Sequence, residues 1–300
     1  MTEKRSAVLI SNPNAGQGGA AERAREVIRF CEGVESRGMV VEVWQTAGPN
    51  DAARLAAEAV TAGAREVVVR GGDGTLHEAI QGLAGKGVRV AVWPAGTANV
   101  LARQLALPFD AERAAAVLAR GRTKRISLGC ATDERTGARR YFFMMAGIGL
   151  DASVVRRVRP RLKRRVGEVA YWYSGLSHLA HWRPQEFTVE VGGESFPATY
   201  AAIGKAPWYG GGLAITPRAR LDADEFEVCV INTHSRLRYL RLLAHAMRGG
   251  APEGTRAVKF VRASRVRASG TADVQADGEL IGELPMTFEI VNDGLELFVP

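Results

Sequence analysis

Cysteine is scarce in this chain. There are three in 300 residues, Cys31, Cys130 and Cys229, an odd number set far apart and without a CxxC. Neither a disulfide framework nor a zinc site is supported, and a reduced cytosolic compartment suits such a chain. No apolar run approaches the ~18 residues of a membrane span. Behind Lys4 and Arg5 the apolar stretch is only Ala7 to Ile10, too short for a signal-peptide core. The expectation is a soluble, cytoplasmic protein that can still sit on a membrane. The pattern GxxxxGK[ST] occurs nowhere, which excludes a Walker-type phosphate loop. His77, His178 and His245 stand at no metal-ligand spacing from another His or Cys; His77 is expected on a helix surface and the others at interfacial or structural positions. Internal repeats and low-complexity tracts are also lacking.

What is present begins with a core-forming composition, 46% hydrophobic, and a length that suits two domains. Net charge is +8, shared evenly: residues 1–126 hold 17 basic and 13 acidic residues, and 127–300 hold 23 and 19, so each part is +4. The excess is local instead. Arg156, Arg157, Arg159, Arg161, Lys163, Arg164 and Arg165 lie together with no acid from Ala152 to Gly167. Such a run is either a solvated face or a basic surface for an anionic partner. Tyr171, Trp172, Tyr173, Trp182, Trp208 and Tyr209 flank it; they suit a core or a lipid–water interface.

The stretch VVVRGGDGTLHE, Val67 to Glu78, reads as strand, tight glycine turn and helix. At such a turn the N–H groups of the helix start face outward and glycine lets main chain approach a ligand, which makes an anion site. A plain strand-to-helix turn needs only one glycine and a cap. Three glycines around Asp73 point further, because a carboxylate beside phosphates calls for a divalent cation or a proton to take. Three more such units surround it. Ser6–Ile10 runs into SNPNAGQGG and a helix from Ala20 to Phe30; Met39–Trp44 runs into QTAGPND, where Asn50 or Asp51 caps a helix from Ala52 to Thr61; Val88–Trp93 runs into PAGTANVLAR. Four such units predict a mainly parallel sheet covered by helices, with one site assembled from four loops at the carboxyl ends of the strands.

Asp110 opens a last helix to Arg120, and 121–124 reads as a connector. The predicted domains are therefore 1–124, α/β, and 125–300, rich in strands. The strands expected in the second are Tyr141–Met145, Phe187–Val191, Thr199–Ile203, Phe226–Ile231, Ala257–Val261, Thr287–Val291 and Leu295–Val299, an antiparallel sandwich or distorted barrel. Helices are expected at Gly167–Ala180 and Leu237–Met247. Gly147-Ile-Gly149-Leu-Asp-Ala152, with Glu168 beyond it, matches a dinucleotide GxGxxA, but the segment between holds a cationic run and Pro160 rather than a helix and a strand.

As an ordered set, SNPNAG, GGDGTLHEAI, PAGTANVLAR, AGIGLDA, PRARLDADEFEV and QADGE resemble the diacylglycerol kinase catalytic-domain family, which includes sphingosine and ceramide kinases and has NAD kinases and phosphofructokinases as distant relatives. The resemblance spans nearly the whole chain. It implies an NAD kinase/phosphofructokinase-like α/β domain, a sandwich-like β-rich domain, and a cleft where a lipid hydroxyl takes the γ-phosphoryl group of ATP with Mg²⁺. It further implies nucleotide contacts from Asn12, Asn14 and Gly16, Thr46, Gly71, Gly72, Asp73, Gly74 and Thr75, and Gly96, Thr97 and Asn99. Asp151 then lies near the lipid head group, and Asp277 with Glu279 supply the DGE element, Asp277 as general base and Asp73 beside the phosphates. Asp-Gly is also the commonest hairpin turn dipeptide. Asp222 and Asp224 match a loop that holds a structural divalent cation in some bacterial members, although Asp224-Glu225 replaces the family's Asp-Gly. Likewise Ala15 stands where many members carry serine before the glycine.

The implied partner is a lipid substrate at an anionic membrane surface, contacted by Arg157, Arg161, Lys163 and Arg164 in a protein held peripherally on the membrane. No specific nucleic acid is implied, and a homodimer is left open. An NAD kinase shares the GGDGT logic, but its second substrate motif is not found here. A non-enzymatic membrane- or nucleic-acid-binding module using the Arg156–Arg165 run is the third alternative.

Overall fold

The computed structural model describes residues 5–157, 182, 184–208, 212–249 and 257–300. The chain forms two compact units, one of Met1–Ile126 with Asp293–Pro300 and one of Ser127–Asn292.

In the first unit, strands β1 (Ser6–Ser11), β2 (Val40–Gln45), β3 (Glu66–Gly71) and β4 (Arg89–Pro94) form a parallel sheet in the order β2-β1-β3-β4. Crossover helices α1 (Ala20–Glu35), α2 (Asp51–Thr61) and α3 (Asp73–Leu83) follow the first three strands; α4 (Val100–Gln104) and α5 (Ala111–Arg120) follow the fourth. β3 is buried along its whole length, as its Val67-Val68-Val69 run requires of a central parallel strand. Phe30 stacks on Trp93 at 4.7 Å between ring centroids, fixing α1 over the end of β4. Asp110 caps α5 by accepting the Arg113 N–H, and Gly121 ends it in the left-handed conformation. Residues 123 and 124, expected in a connector, already belong to strand β5 (Thr123–Asp133).

α3 departs from the expected half-exposed helix. It packs against both β3 and α2, and Gly82 permits the second contact, since a Cβ there would lie 2.7 Å from Ala53 O and Ala57 N. His77 is buried, 4% exposed, rather than on the surface.

The second unit is a sandwich of antiparallel sheets. One sheet runs β12 (Val258–Ala263), β11 (Phe226–Ile231), β10 (Tyr200–Gly204), β7 (Met145–Gly149), β14 (Asp273–Ala276), β15 (Glu279–Glu283). The other is built on β9 (Glu194–Ala198), β8 (Phe187–Val191), β13 (Arg265–Gly270) and β16 (Met286–Phe298), with β5 and β6 (Arg139–Phe142) added beside β16. Their inner faces share one apolar core that includes Phe142, Ile148, Val189, Phe226, Val266, Val274 and Phe288.

The strand expected at Tyr141–Met145 is the end of β6 and the first residue of β7. The two expected at Thr287–Val291 and Leu295–Val299 are the single strand β16. Its start pairs with β13, and its end, in the first unit, pairs parallel with β4 through Glu296 and Leu297. Helix α6 (Leu150–Arg157) follows β7, and α7 (Arg236–Ala246) follows β11. The expected helix Gly167–Ala180, Glu168, His178, the aromatics Tyr171, Trp172, Tyr173 and Tyr209, and the basic residues Arg159, Arg161, Lys163, Arg164 and Arg165 lie outside the described residues. Among the described residues no helix is long and apolar enough to cross a membrane.

Candidate active site

In the first unit the four loops at the carboxyl ends of β1 to β4 are tied to one another. Asn12 Nδ2 donates to Thr75 Oγ1 at 3.1 Å, which joins the first loop to the GGDGT turn. Asn12 N donates to Arg70 O, and Asn12 Oδ1 accepts the Asn14 N–H. Thr46 N donates to Ser11 O, placing Thr46 beside the first loop. The Asp73 carboxylate accepts the Val100 N–H at 2.9 Å through Oδ1 and so caps the start of α4 from a different helix. That local duty was not visible in the sequence, where Asp73 stood out only as an acid among glycines.

Gly72 and Gly96 bring their backbones together. A Cβ on Gly96 would lie 2.5 Å from Gly72 Cα and 2.9 Å from Asn99 Oδ1; one on Gly71 would strike Thr75 at 2.5 Å. Asn99 sits in the left-handed region at φ 47° and clasps Gly96, accepting its N–H at 2.9 Å and donating to its carbonyl at 2.6 Å. Gly74 and Thr97 are exposed at the two turns. Gly16, at φ +112°, packs against Arg23 and Arg70.

Arg70 is the organising residue that the sequence alone did not single out. It is buried, its guanidinium lies 4.8 Å from the centre of the Trp93 ring, and it donates to the carbonyls of Ala15 at 3.2 Å and Asn12 at 3.4 Å and to Glu26 at 2.7 Å. The signal was its place directly before the glycine pair, where a charge that follows the apolar run Val67-Val68-Val69 needs partners from the neighbouring loops.

In the second unit the acid of AGIGLDA is tied to the backbone of the QADGE turn through Gln275. Its Nε2 donates to Asp151 Oδ2 at 2.6 Å and its Oε1 accepts the Gly278 N–H at 2.7 Å. Gly147 faces Gln275 across β7 and β14, and a Cβ there would lie 2.3 Å from Asp151 Oδ2. The first glycine of the GxGxxA match, Gly147, is thus a strand residue that makes room for this side-chain bridge. Asp277 is in the left-handed conformation at φ 48°. Its carboxylate accepts three backbone N–H groups, Phe143 on Oδ2 at 2.9 Å and Met144 and Met145 on Oδ1 at 2.9 and 3.0 Å. Glu279 opens β15 two residues on and is half-buried.

The loop Arg220–Glu225 does not fit a divalent ion. Its carbonyls at Arg220 and Ala223, the ligand type that such an ion takes, are bound by Lys205 Nζ at 3.2 and 2.5 Å, along with Ser127 Oγ at 2.7 Å. Asp222 pairs with Arg220 at 3.0 Å and Glu225 with Arg262 at 3.2 Å; Asp224 is exposed. Lys205 is fully buried, and burial pushes its pKa down to about 8, opposed by the charges of Asp224, Asp222 and Glu225. A cation of the chain's own already faces the loop. Among the described residues, no three His, Cys, Asp or Glu side chains could together hold a metal.

The model of the diacylglycerol kinase catalytic domain matches residues 6–131, and that of the YegS C-terminal NAD kinase beta sandwich-like domain matches 145–299. A diacylglycerol kinase of Mycobacterium tuberculosis is 32% identical over 296 residues, covering 97% of this chain and 94% of that protein. The chain belongs to the diacylglycerol kinase family. A diacylglycerol kinase of Staphylococcus saprophyticus is 27% identical over 303 residues, covering 99% of this chain and 96% of its own. The solved structure of a diacylglycerol kinase from Bacillus anthracis str. Sterne has the same fold, with a TM-score of 0.74 at 17% identity over 100% of this chain and 98% of that one. Within the family, the first match holds the four loops and the second holds Asp151, Gln275 and Asp277.

Proposed function

We propose that this kinase transfers the γ-phosphoryl group of ATP to the hydroxyl of diacylglycerol or a closely related lipid, with Mg²⁺. The observation that carries the nucleotide part is the pair Gly72 and Gly96. Their backbones approach so closely that a Cβ on Gly96 would strike Gly72, and they lie beside the N-terminus of α3 at the carboxyl edge of a parallel sheet, the arrangement that favours a phosphate chain. Asn12, Asn14, Gly16 and Thr46 on the adjoining loops, with Gly71, Gly74, Thr75, Thr97 and Asn99, would complete the contacts. Mg²⁺ commonly takes only one or two carboxylates and draws its other ligands from phosphates and water, so Asp73 fits as its protein ligand. The ion would neutralise charge on the phosphates during transfer.

The lipid hydroxyl must lose its proton as it attacks phosphorus, and Asp277 is the acceptor we assign. Backbone N–H groups from three successive residues hold its carboxylate in one orientation, so no side-chain rotation precedes proton transfer. Asp151, aligned by Gln275, would bind the lipid head group. The choice of a glycerolipid follows the relatives, which are diacylglycerol kinases.

The test is phosphoryl transfer from labelled ATP in the presence of Mg²⁺ to a panel of diacylglycerol, phosphatidylglycerol, ceramide, sphingosine and NAD. Label in diacylglycerol is the expected result. Label in NAD with none in any lipid would overturn the proposal.

A further inference from the structure

Helix α7 carries two apolar stripes, and among the described residues only one is packed into the fold. Tyr239, Leu242 and Ala246 face inward. Tyr239 meets Trp182 edge-on at 5.2 Å and shares a 2.7 Å hydrogen bond with the buried Thr199. Ala246 O accepts the Ala214 N–H, and Ser235 caps the first turn. The helix is therefore seated on its own unit. The second stripe runs through Leu237, Leu240, Ala244 and Met247, spaced by three, four and three residues, which places them on one helical face. Leu237 is 69%, Leu240 40% and Met247 62% exposed.

Charge along this element has one sign. Arg236, Arg238, Arg241 and Arg248 are all exposed, and the sequence holds no acid between Glu227 and Glu253. At 100° per residue, Arg241 lies directly beside the exposed stripe with Arg238 further round, while Arg236 borders its other edge and Arg248 follows just past the helix end. A helix with exposed leucines between arginines matches an element that lies in the plane of a bilayer interface, leucines in the acyl boundary and guanidinium groups at lipid phosphates.

We propose that α7 is a membrane-docking helix whose partner is an anionic phospholipid surface. Two other occupants fit less well. A second copy of the chain meeting this face about a two-fold axis would set arginine against arginine. A nucleic acid would use the guanidinium groups but would leave Leu237, Leu240 and Met247 in water. The proposal rests on the lipid-kinase reading only for its purpose, that of bringing the enzyme to a substrate dissolved in the membrane.

The experiment measures co-sedimentation with phosphatidylcholine vesicles, with and without roughly a third phosphatidylglycerol, in the absence of nucleotide. Its outcome is therefore independent of whether the protein phosphorylates a lipid. Wild-type protein should bind the anionic vesicles. The double variant Leu237→Ser/Leu240→Ser and the triple variant Arg236→Gln/Arg238→Gln/Arg241→Gln should each bind about 10-fold or more weakly. Both change exposed side chains, so their thermal unfolding should match that of wild type. The comparison variant Arg157→Gln/Arg161→Gln/Lys163→Gln/Arg164→Gln tests the other basic run. Loss of binding in this variant alone would overturn the proposal. So would failure of the wild-type protein to bind, or light scattering that shows the leucine variant converting a dimer to monomers with vesicle binding unchanged.

Discussion

The guanidinium of Arg70 stacks over Trp93 while its nitrogens hold the carbonyls of Asn12 and Ala15. One buried cation thus joins the end of β3, the loop after β1 and the end of β4. Arg70→Met keeps the apolar stem but leaves those carbonyls and Glu26 without their donor. Stability should fall by about 1–3 kcal/mol in urea unfolding, and KM for ATP should rise more than kcat falls, because the loops are displaced rather than the reacting groups. Arg70→Lys should restore little, since an ammonium cannot reproduce the planar fork.

Gly96→Ala tests the two-turn contact. The new methyl group would meet Gly72 Cα at 2.5 Å, and backbone cannot yield as a side chain can. The expected cost is about 1–3 kcal/mol, with a rise of about 10-fold or more in KM for ATP that steady-state kinetics would reveal. A KM equal to that of wild type would remove these turns from the nucleotide site.

Asp277→Asn should lower kcat by about 10²-fold, the scale expected for loss of a general base. It should also lower the thermal midpoint, because an amide has a single acceptor oxygen and must turn its NH₂ toward at least one of the N–H groups of Phe143, Met144 and Met145. Glu279→Gln provides the comparison. If it abolishes turnover while Asp277→Asn retains it, the proton acceptor is Glu279.

Lys205 gives a pH signature. Its pKa in the folded protein, about 8, lies below the ordinary lysine value of 10.5. Between these values the unfolded chain holds a proton that the folded chain has lost, so this group's contribution to the unfolding free energy rises with pH across that window. Urea unfolding of wild type and Lys205→Met from pH 7 to 10 should show this slope only in wild type. The variant should be less stable at neutral pH, because Ser127 and the carbonyls of Arg220 and Ala223 lose their donor. Chelation with EDTA should leave the wild-type thermal midpoint unchanged.

Much of the first unit was legible because each strand is a largely apolar run followed within three residues by glycine, asparagine or proline, signals that act locally. The boundary between β6 and β7 was not. Residues 142–149 are buried without interruption, so no alternation marks a break. The break comes from Asp277, more than 130 residues away, whose carboxylate takes the N–H groups of Phe143, Met144 and Met145. His77 was misplaced for a similar reason, because its burial is set by the packing of α3 in the folded unit and not by its neighbours in sequence. Of the candidate site, the glycine loops announced themselves by composition. Arg70, Gln275 and Lys205 did not, since each gains its meaning from partners distant in sequence.

The last strand has a consequence for synthesis. Leu297 and Phe298 are buried, Phe298 within the first unit's core and under the guanidinium groups of Arg5 and Arg89 at 5.4 and 5.6 Å. The partner that β4 takes on its far edge, Glu296 and Leu297, is made about 200 residues after β4 itself. At roughly 5–20 residues per second that is a delay of about 10–40 s. During this time a nascent chain on the ribosome carries β4 with an open edge, the kind of surface that recruits unwanted strands. The unit that begins first is the one completed last.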